Sequence, residues 1–268
     1  MAAEVAIINP LHIPGLDQAL TRTDLAVARN TYNGLPYIAK QKEFAIAAAK
    51  RIPEAIALII RHDMSKNFRP HLAHRHNVLD SGQVRLETEM EGTPYRLTKP
   101  AMIDNVDFGN MHPTCFKVTG NDLVAFEFAK GPTPLNATKI PAAFVQAWVA
   151  FIDKHELANL LTLDFGSFGK DGEPTTEIEL QIGTDTPATI KAPVSHCIRK
   201  GTNVPTSWRV SAPSVGDPEG PGPGEHWNES TKPDGTKTHK VHVDNLSGSL
   251  GDSELVDALV ELGVLRAS

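Results

Sequence analysis

The alternation of apolar and polar residues between positions 68 and 128 constrains this chain more than any other feature. Across Gln83–Met90, Val84, Leu86, Thr88 and Met90 fall on one side of an extended chain, and Gln83, Arg85, Glu87 and Glu89 on the other. That is the period-two pattern of a strand with one face buried. Asp80-Ser81-Gly82 precedes it and Glu91-Gly92-Thr93-Pro94 follows it, both of them turn sequences with a glycine available for positive φ. Downstream, Tyr95–Thr98 starts another strand. Thr114, Phe116 and Val118 alternate before the turn Thr119-Gly120-Asn121-Asp122, and Val124, Phe126 and Phe128 alternate after it. Short strands joined by tight turns exclude a helical bundle and predict an antiparallel meander.

Upstream of the meander lies FRPHLAHRHNV, Phe68 to Val78. As a strand it places Phe68, Pro70, Leu72, His74, His76 and Val78 on one face, and Arg69, His71, Ala73, Arg75 and Asn77 on the other. The second set is the more polar, so the first is the expected buried face. Two successive inward positions are then histidines. If the strand returns into Gln83–Met90 with Val78 opposite Val84, His76 lies opposite Leu86 and His74 opposite Thr88. His71 is then expected outward, with Arg69 and Arg75.

The flanking segments complete an expected α+β chain of mainly antiparallel sheet, curved into two facing sheets or an open barrel. Covering helices are expected near 23–52, 140–156 and 253–263. The first is interrupted: Thr23 caps a piece ending at Gly34 and Pro36, and Ala39–Ile52 makes a second piece stopped by Pro53. Ala55–Ile60 (AIALII) is apolar on both faces and predicts a central strand. Helix 140–156 carries Phe144, Val145, Trp148, Phe151 and Ile152 on one stripe. Further strands are expected at Leu160–Phe165, Glu177–Ile182 (Ile178, Leu180 and Ile182 inward), Ala188–Ser195, Trp208–Val210 and His239–Val243. Ser211–Gly235, rich in proline and glycine, reads as a long loop whose Glu225, His226 and Trp227 form a candidate lid over a pocket. The last helix carries Leu255, Val256, Leu259 and Leu262 and stops at Gly263. A single domain over 1–268 is expected: helical segment 16–52, meander 55–128, covering helix 140–156, second β region 160–243 and terminal helix 253–263.

Composition narrows the function classes. The net charge of −6 leaves no electrostatic footprint for nucleic acid. No apolar run approaches the roughly 18 residues of a membrane span, and MAAEVAIINPLHIPGLDQAL lacks a signal-peptide pattern. A cytoplasmic protein is therefore expected, with Cys115 and Cys197 as buried thiols. Nucleotide-binding glycine loops, a Gly-x-Ser-x-Gly elbow, His-Glu-x-x-His and paired Cys-x-x-Cys are all missing.

The chain has 11 histidines, and their strand phase singles out candidates. His74 and His76 share an apolar face, and His62, His112, His196 and His239 are each in phase with apolar neighbours. Two imidazoles from one strand suit Zn or Fe. The candidate metal ligands are thus His74, His76, His62 and His196, and the candidate catalytic residues His74, His76 and His226. Glu87, the nearest glutamate downstream, is expected outward and not a ligand. These residues point to an enzyme with a histidine-lined pocket for a small-molecule substrate, with metal-dependent hydrolase or lyase chemistry first. A metal-free acid–base lyase, isomerase or cyclase is the second reading, and a non-catalytic ligand-binding or interaction protein the third.

Overall fold

The structure is a computed structural model. It describes residues 13–16, 18–133, 140–166, 174–184, 186–198, 202–210, 223–231, 237–238, 240–243 and 251–267. Helix α1 spans Arg22–Asn33. Its cap is Thr21 rather than the expected Thr23: the Thr21 hydroxyl accepts from the Asp24 N–H at 3.3 Å, and the Asp24 carboxylate accepts from the Thr21 N–H at 2.8 Å. Two orphan amides are satisfied reciprocally this way. Helix α2, Gln41–Ala49, follows a 3-10 turn at Ile38–Lys40.

The strand expected at Ala55–Ile60 is instead helix α3, Ile52–Arg61. Pro53 does not stop a helix but occupies the first turn of the next one, where its missing N–H costs nothing. The apolar run was ambiguous between the two periods. Burial resolves it: Ile52, Ala55, Ile56 and Ile59 are buried, at helical spacing.

Twelve strands belong to one sheet. They are β1 (Phe68–Leu72), β2 (Gln83–Glu89), β3 (Arg96–Met102), β4 (Met111–Thr119), β5 (Asp122–Lys130), β6 (Leu161–Phe165), β7 (Thr175–Ile182), β8 (Thr186–Pro193), β9 (Thr202–Trp208), β10 (Pro223–Thr231), β11 (Lys237–Thr238) and β12 (Lys240–Val243). Helices α4 (Ala142–Lys154) and α5 (Asp252–Glu261) complete the described elements. The order is β11-β10-β9-β1-β6-β4-β5-β2-β3-β8-β7-β12, and β10 also pairs with β7. Strands β10 and β7 each stand next to an end of that order, so their pairing curls the sheet round on itself. Pairs β2–β5, β10–β7 and β12–β7 are parallel, and the others antiparallel. The expected α+β class with a curved, mostly antiparallel sheet is what the structure shows.

The hairpins β2–β3 and β4–β5 form as expected, with Gly92 and Gly120 at positive φ in their turns. The first expected pairing does not. Strand β1 ends at Leu72 and pairs with β6 and β9, not with β2. His74 therefore does not lie beside Thr88, nor His76 beside Leu86. Both histidines sit on the irregular segment that leaves β1. The expected loop 211–235 is also partly sheet, because residues 223–231 are strand β10. The rest of that loop lies outside the described residues.

One face of the curl is apolar and helix-covered. Phe68 and Leu72 of β1, Leu161, Leu163 and Phe165 of β6, and Phe116 pack with Ile56 and Ile59 of α3 and Phe144, Trp148 and Ile152 of α4. Ile178, Leu180 and Ile190 pack against Leu255 and Leu259 of α5. Val84 and Phe128 pack against Leu25 and Ala28 of α1. Among the described residues no helix is long and apolar enough to cross a membrane. Cys115 and Cys197 are buried and not joined in a disulfide.

The opposite face is buried too, and it is polar. Arg85 is 1% exposed and Glu87 8%, although their alternation predicts solvent. Directly paired residues share a face, so the register traces a polar belt: Arg69 opposite Asp164, His71 opposite Thr162 and Ser207, Glu87 opposite Thr98, Arg96 opposite Lys191, Glu177 opposite Lys191, and Glu179 opposite Thr189. A polar residue in an alternating strand marks the non-helix face, and in a sheet that curls shut that face is an interior.

Candidate metal centre

Buried charge costs several kcal/mol per ion unless it is paired, and most of the belt meets that condition. Arg69 Nη2 lies 2.6 Å from Asp164 Oδ2. Arg85 donates to the Thr189 hydroxyl and to Asn77 Oδ1, and its guanidinium stands 5.8 Å from the Tyr32 ring centre. Glu127 is 3.7 Å from Arg85 Nε. Glu87 lies between Arg96 at 3.5 Å and Lys191 at 3.6 Å. Burial, offset in part by Arg85, pushes the Tyr32 phenol up to about 12. Tyr32 therefore stays neutral, accepts from the His76 N–H at 3.0 Å and donates to Asn77 Oδ1 at 3.3 Å.

Where β1 ends, the belt becomes a cluster of imidazoles and carboxylates. His74 Nε2 is 3.2 Å from His76 Nε2 and 3.4 Å from Glu177 Oε2. His76 Nε2 is 3.6 Å from Glu177 Oε1, and His76 Nδ1 is 3.3 Å from Glu179 Oε1. His71 stacks on His74 with ring centres 5.0 Å apart. One ligating atom from each of His71, His74 and Glu177 can be chosen so that all three lie within 4.8 Å of one another. All five side chains are more than nine-tenths buried.

Each histidine is held from its far side. The His74 Nδ1–H donates to the Leu72 carbonyl at 2.9 Å, which fixes the tautomer with a lone pair on Nε2. Thr162 donates its hydroxyl proton to the His71 carbonyl at 3.2 Å, with its oxygen 3.5 Å from His71 Nδ1. Glu179 faces His76 Nδ1 at 3.3 Å. That contact is close but poorly aimed: His76 Nδ1, Glu177 Oε2 and both Glu179 oxygens lack a well-directed hydrogen bond. Unmet buried acceptors cost about 1–3 kcal/mol each, and carboxylates in that condition are ready to receive a cation.

Distances test the fit. Donors placed about 2.0–2.1 Å from a tetrahedral ion lie roughly 3.3 Å apart. The His74–His76 and His74–Glu177 separations of 3.2 and 3.4 Å match that edge, while the His71 donor lies within 4.8 Å of those of His74 and Glu177. Without an ion, a proton fills the role. Burial alone would depress His76, but Glu177 and Glu179 outweigh it and hold its pKa at about 9. Burial drives His74 below its ordinary value, with the neighbouring His76 and His71 adding to that effect against the pull of Glu177. Burial opposes ionisation of Glu177, yet His76 first, then His74 and Lys191, hold its carboxyl well below the usual range.

A pH dependence of stability follows for the metal-free protein. His76 is raised from 6.5 to about 9, so its contribution is complete below about pH 6.5 and is lost as pH rises through 9. His74 is lowered, so its contribution is complete above about pH 6.5 and is lost as pH falls below it. Thermal unfolding with a chelator present should therefore show greatest stability near pH 6.5, declining on both sides. His76→Gln should remove the alkaline decline; an unchanged alkaline limb in that variant would contradict the assignment.

The structure brings His74 and His76 together, though on the irregular segment after β1 and not on the strand face that the phase predicts, and separates them from the other candidates. His62 caps the end of α3, its ring tilted against Phe144 with centres 5.9 Å apart. His196 accepts from or donates to the Tyr95 hydroxyl at 3.1 Å, beside the α5 core. His112 contacts the Gly131 carbonyl. His226 lies on β10, its backbone in register with Thr176, so it is part of the wall and not of a lid loop. His239 falls outside the described residues. Parity missed His71 and Glu177, which it assigned to solvent because it assumed that the polar face points outward. A usable signal was present: Glu177 and Glu179 share a face, and so do Arg85 and Glu87, more charge than a lone solvated strand face explains.

Comparison with known protein families, with curated proteins and with solved structures finds no match. The chemistry of the site thus rests on its own geometry.

Proposed function

We propose that this chain is a metal-dependent enzyme acting on a small molecule inside its curled sheet, with His71, His74 and Glu177 holding a divalent Zn or Fe ion. The carrying observation is the convergence of three buried donors, one of them a carboxylate oxygen with no directed hydrogen bond. Two histidines and one carboxylate leave coordination positions open, the arrangement used by hydrolytic Zn and by non-haem Fe(II). His76, turned by Glu179, stands as a fourth donor. A bound ion supplies Lewis acidity or an activated water, the chemistry of hydrolysis and elimination. Burial excludes bulk solvent and strengthens that polarisation.

The test is metal analysis of protein purified without a histidine tag, before and after incubation with Zn(II) or Fe(II). The expected result is about one ion per chain. A content near zero, unchanged by added metal, rejects the reading.

One observation favours a second reading. His74 and His76 touch, yet their environments push their proton affinities in opposite directions, the disposition of a base beside an acid. A metal-free lyase, isomerase or cyclase would use them so, and its activity would survive chelators. Ligand binding without turnover would instead mark a binding protein.

A further inference from the structure

Ser207 sits directly opposite His71 in the β1–β9 pairing, so its side chain shares the belt face with the His71 ring. It is fully buried, and its hydroxyl has no hydrogen-bond partner. A serine hydroxyl is both donor and acceptor, and leaving it unmatched costs about 1–3 kcal/mol. Two neighbouring belt hydroxyls do not share this condition. Thr162 is spent on the His71 carbonyl, and Thr189 accepts from Arg85.

The charge of the belt suggests what would match it. Four cationic side chains, Arg69, Arg85, Arg96 and Lys191, face five carboxylates, Asp164, Glu87, Glu127, Glu177 and Glu179, in the contacts described. One divalent ion reverses the sign of that balance, so the described groups then favour an anionic ligand. Around His71, His74 and Glu177 the described belt neighbours Arg69, Asp164, Thr162 and Lys191 are polar or charged, so a lipid-like ligand there would desolvate charged groups without return.

We propose that the substrate is a small carboxylate-bearing molecule whose oxygen binds beside the metal, and that Ser207 is the positioning residue that donates a hydrogen bond to it. This rests on the metal-site reading above and extends it to substrate class. Ser207 gives the ligand orientation from the β9 wall, while Glu177 approaches from β7. Its role requires no proton transfer.

Cobalt(II) serves as a spectroscopic stand-in for the resident ion, and oxalate as the probe. Full-length protein is loaded with Co(II), its visible spectrum recorded, and oxalate titrated in; laurate is titrated in parallel. Oxalate should shift the spectrum saturably and laurate should not. Ser207→Ala should weaken oxalate about tenfold, as loss of one hydrogen bond predicts. Its Co(II) affinity should stay at the wild-type value and its thermal midpoint should hold or rise, because deleting an unmatched hydroxyl removes no native contact, and Ser207→Thr should recover part of the loss of oxalate affinity. A normal cobalt spectrum that oxalate leaves unmoved overturns the carboxylate assignment alone. Unchanged oxalate affinity in Ser207→Ala overturns the role of Ser207, as does a lowered midpoint with normal affinity. Absence of any cobalt spectrum overturns this proposal together with the metal site.

Discussion

Glu177→Gln should reduce metal affinity by more than about 100-fold, since even groups one layer behind a ligand are worth 10–100-fold. The substitution keeps the size of the side chain and removes the charge. In the native site Glu177 Oε2 stands 3.4 Å from His74 Nε2, and Oε1 stands 3.6 Å from His76 Nε2. The amide would offer one neutral oxygen and present N–H groups where acceptors are needed. Isothermal titration with Zn(II) at fixed pH is the direct measurement. Wild-type affinity in Glu177→Gln would remove this residue from the ligand set. Glu179→Gln should act more mildly, because Glu179 faces the far nitrogen of His76 and not the shared centre.

The second large effect concerns the belt as a structural device. Asp164→Ala should destabilise the protein by about 3–5 kcal/mol, since it leaves Arg69 charged and stripped of its carboxylate in a buried setting. The pair is tight, at 2.6 Å with both side chains about nine-tenths buried, and Cys115 Sγ approaches the same carboxylate at 3.9 Å. The double variant Arg69→Met with Asp164→Leu should recover most of that loss, because an apolar pair of similar volume avoids the desolvation cost altogether. Urea unfolding of the singles and the double measures the coupling. A single substitution costing under about 1 kcal/mol would mean that the carboxylate contributes little to the fold. If the double is stable but loses metal or oxalate binding, the pair is retained for the chemistry of the interior.

Both experiments bear on how the belt was hidden. In a sheet with one wet face, Gln83, Arg85, Glu87 and Glu89 would all be solvated, and alternation alone does not tell a wet face from a closed polar interior. The structure buries Arg85 and Glu87 because β2 lies between β3 and β5 in a sheet that closes on itself. The residues alternate as expected; the meaning of inside and outside is exchanged. The same exchange carries His71 and Glu177 into the site and leaves Ile178 and Leu180 against α5.

Local pattern alone determined the two hairpins, the covering helix α4 and the terminal helix α5, and it singled out His74 and His76 as candidates. These depend on periodicity, turn glycines and chain neighbours, which are all readable within a few residues. The tertiary structure decided what depends on distant partners. It turned Ala55–Ile60 into helix, because Pro53 begins a turn as readily as it ends one. It paired β1 with β6 and β9 instead of β2, residues some 90 to 135 positions away, a choice that no local alternation specifies. It also brought Glu177 to His74 across the interior. A strand pattern states which residues share a face, and only closure of the sheet states what that face looks upon.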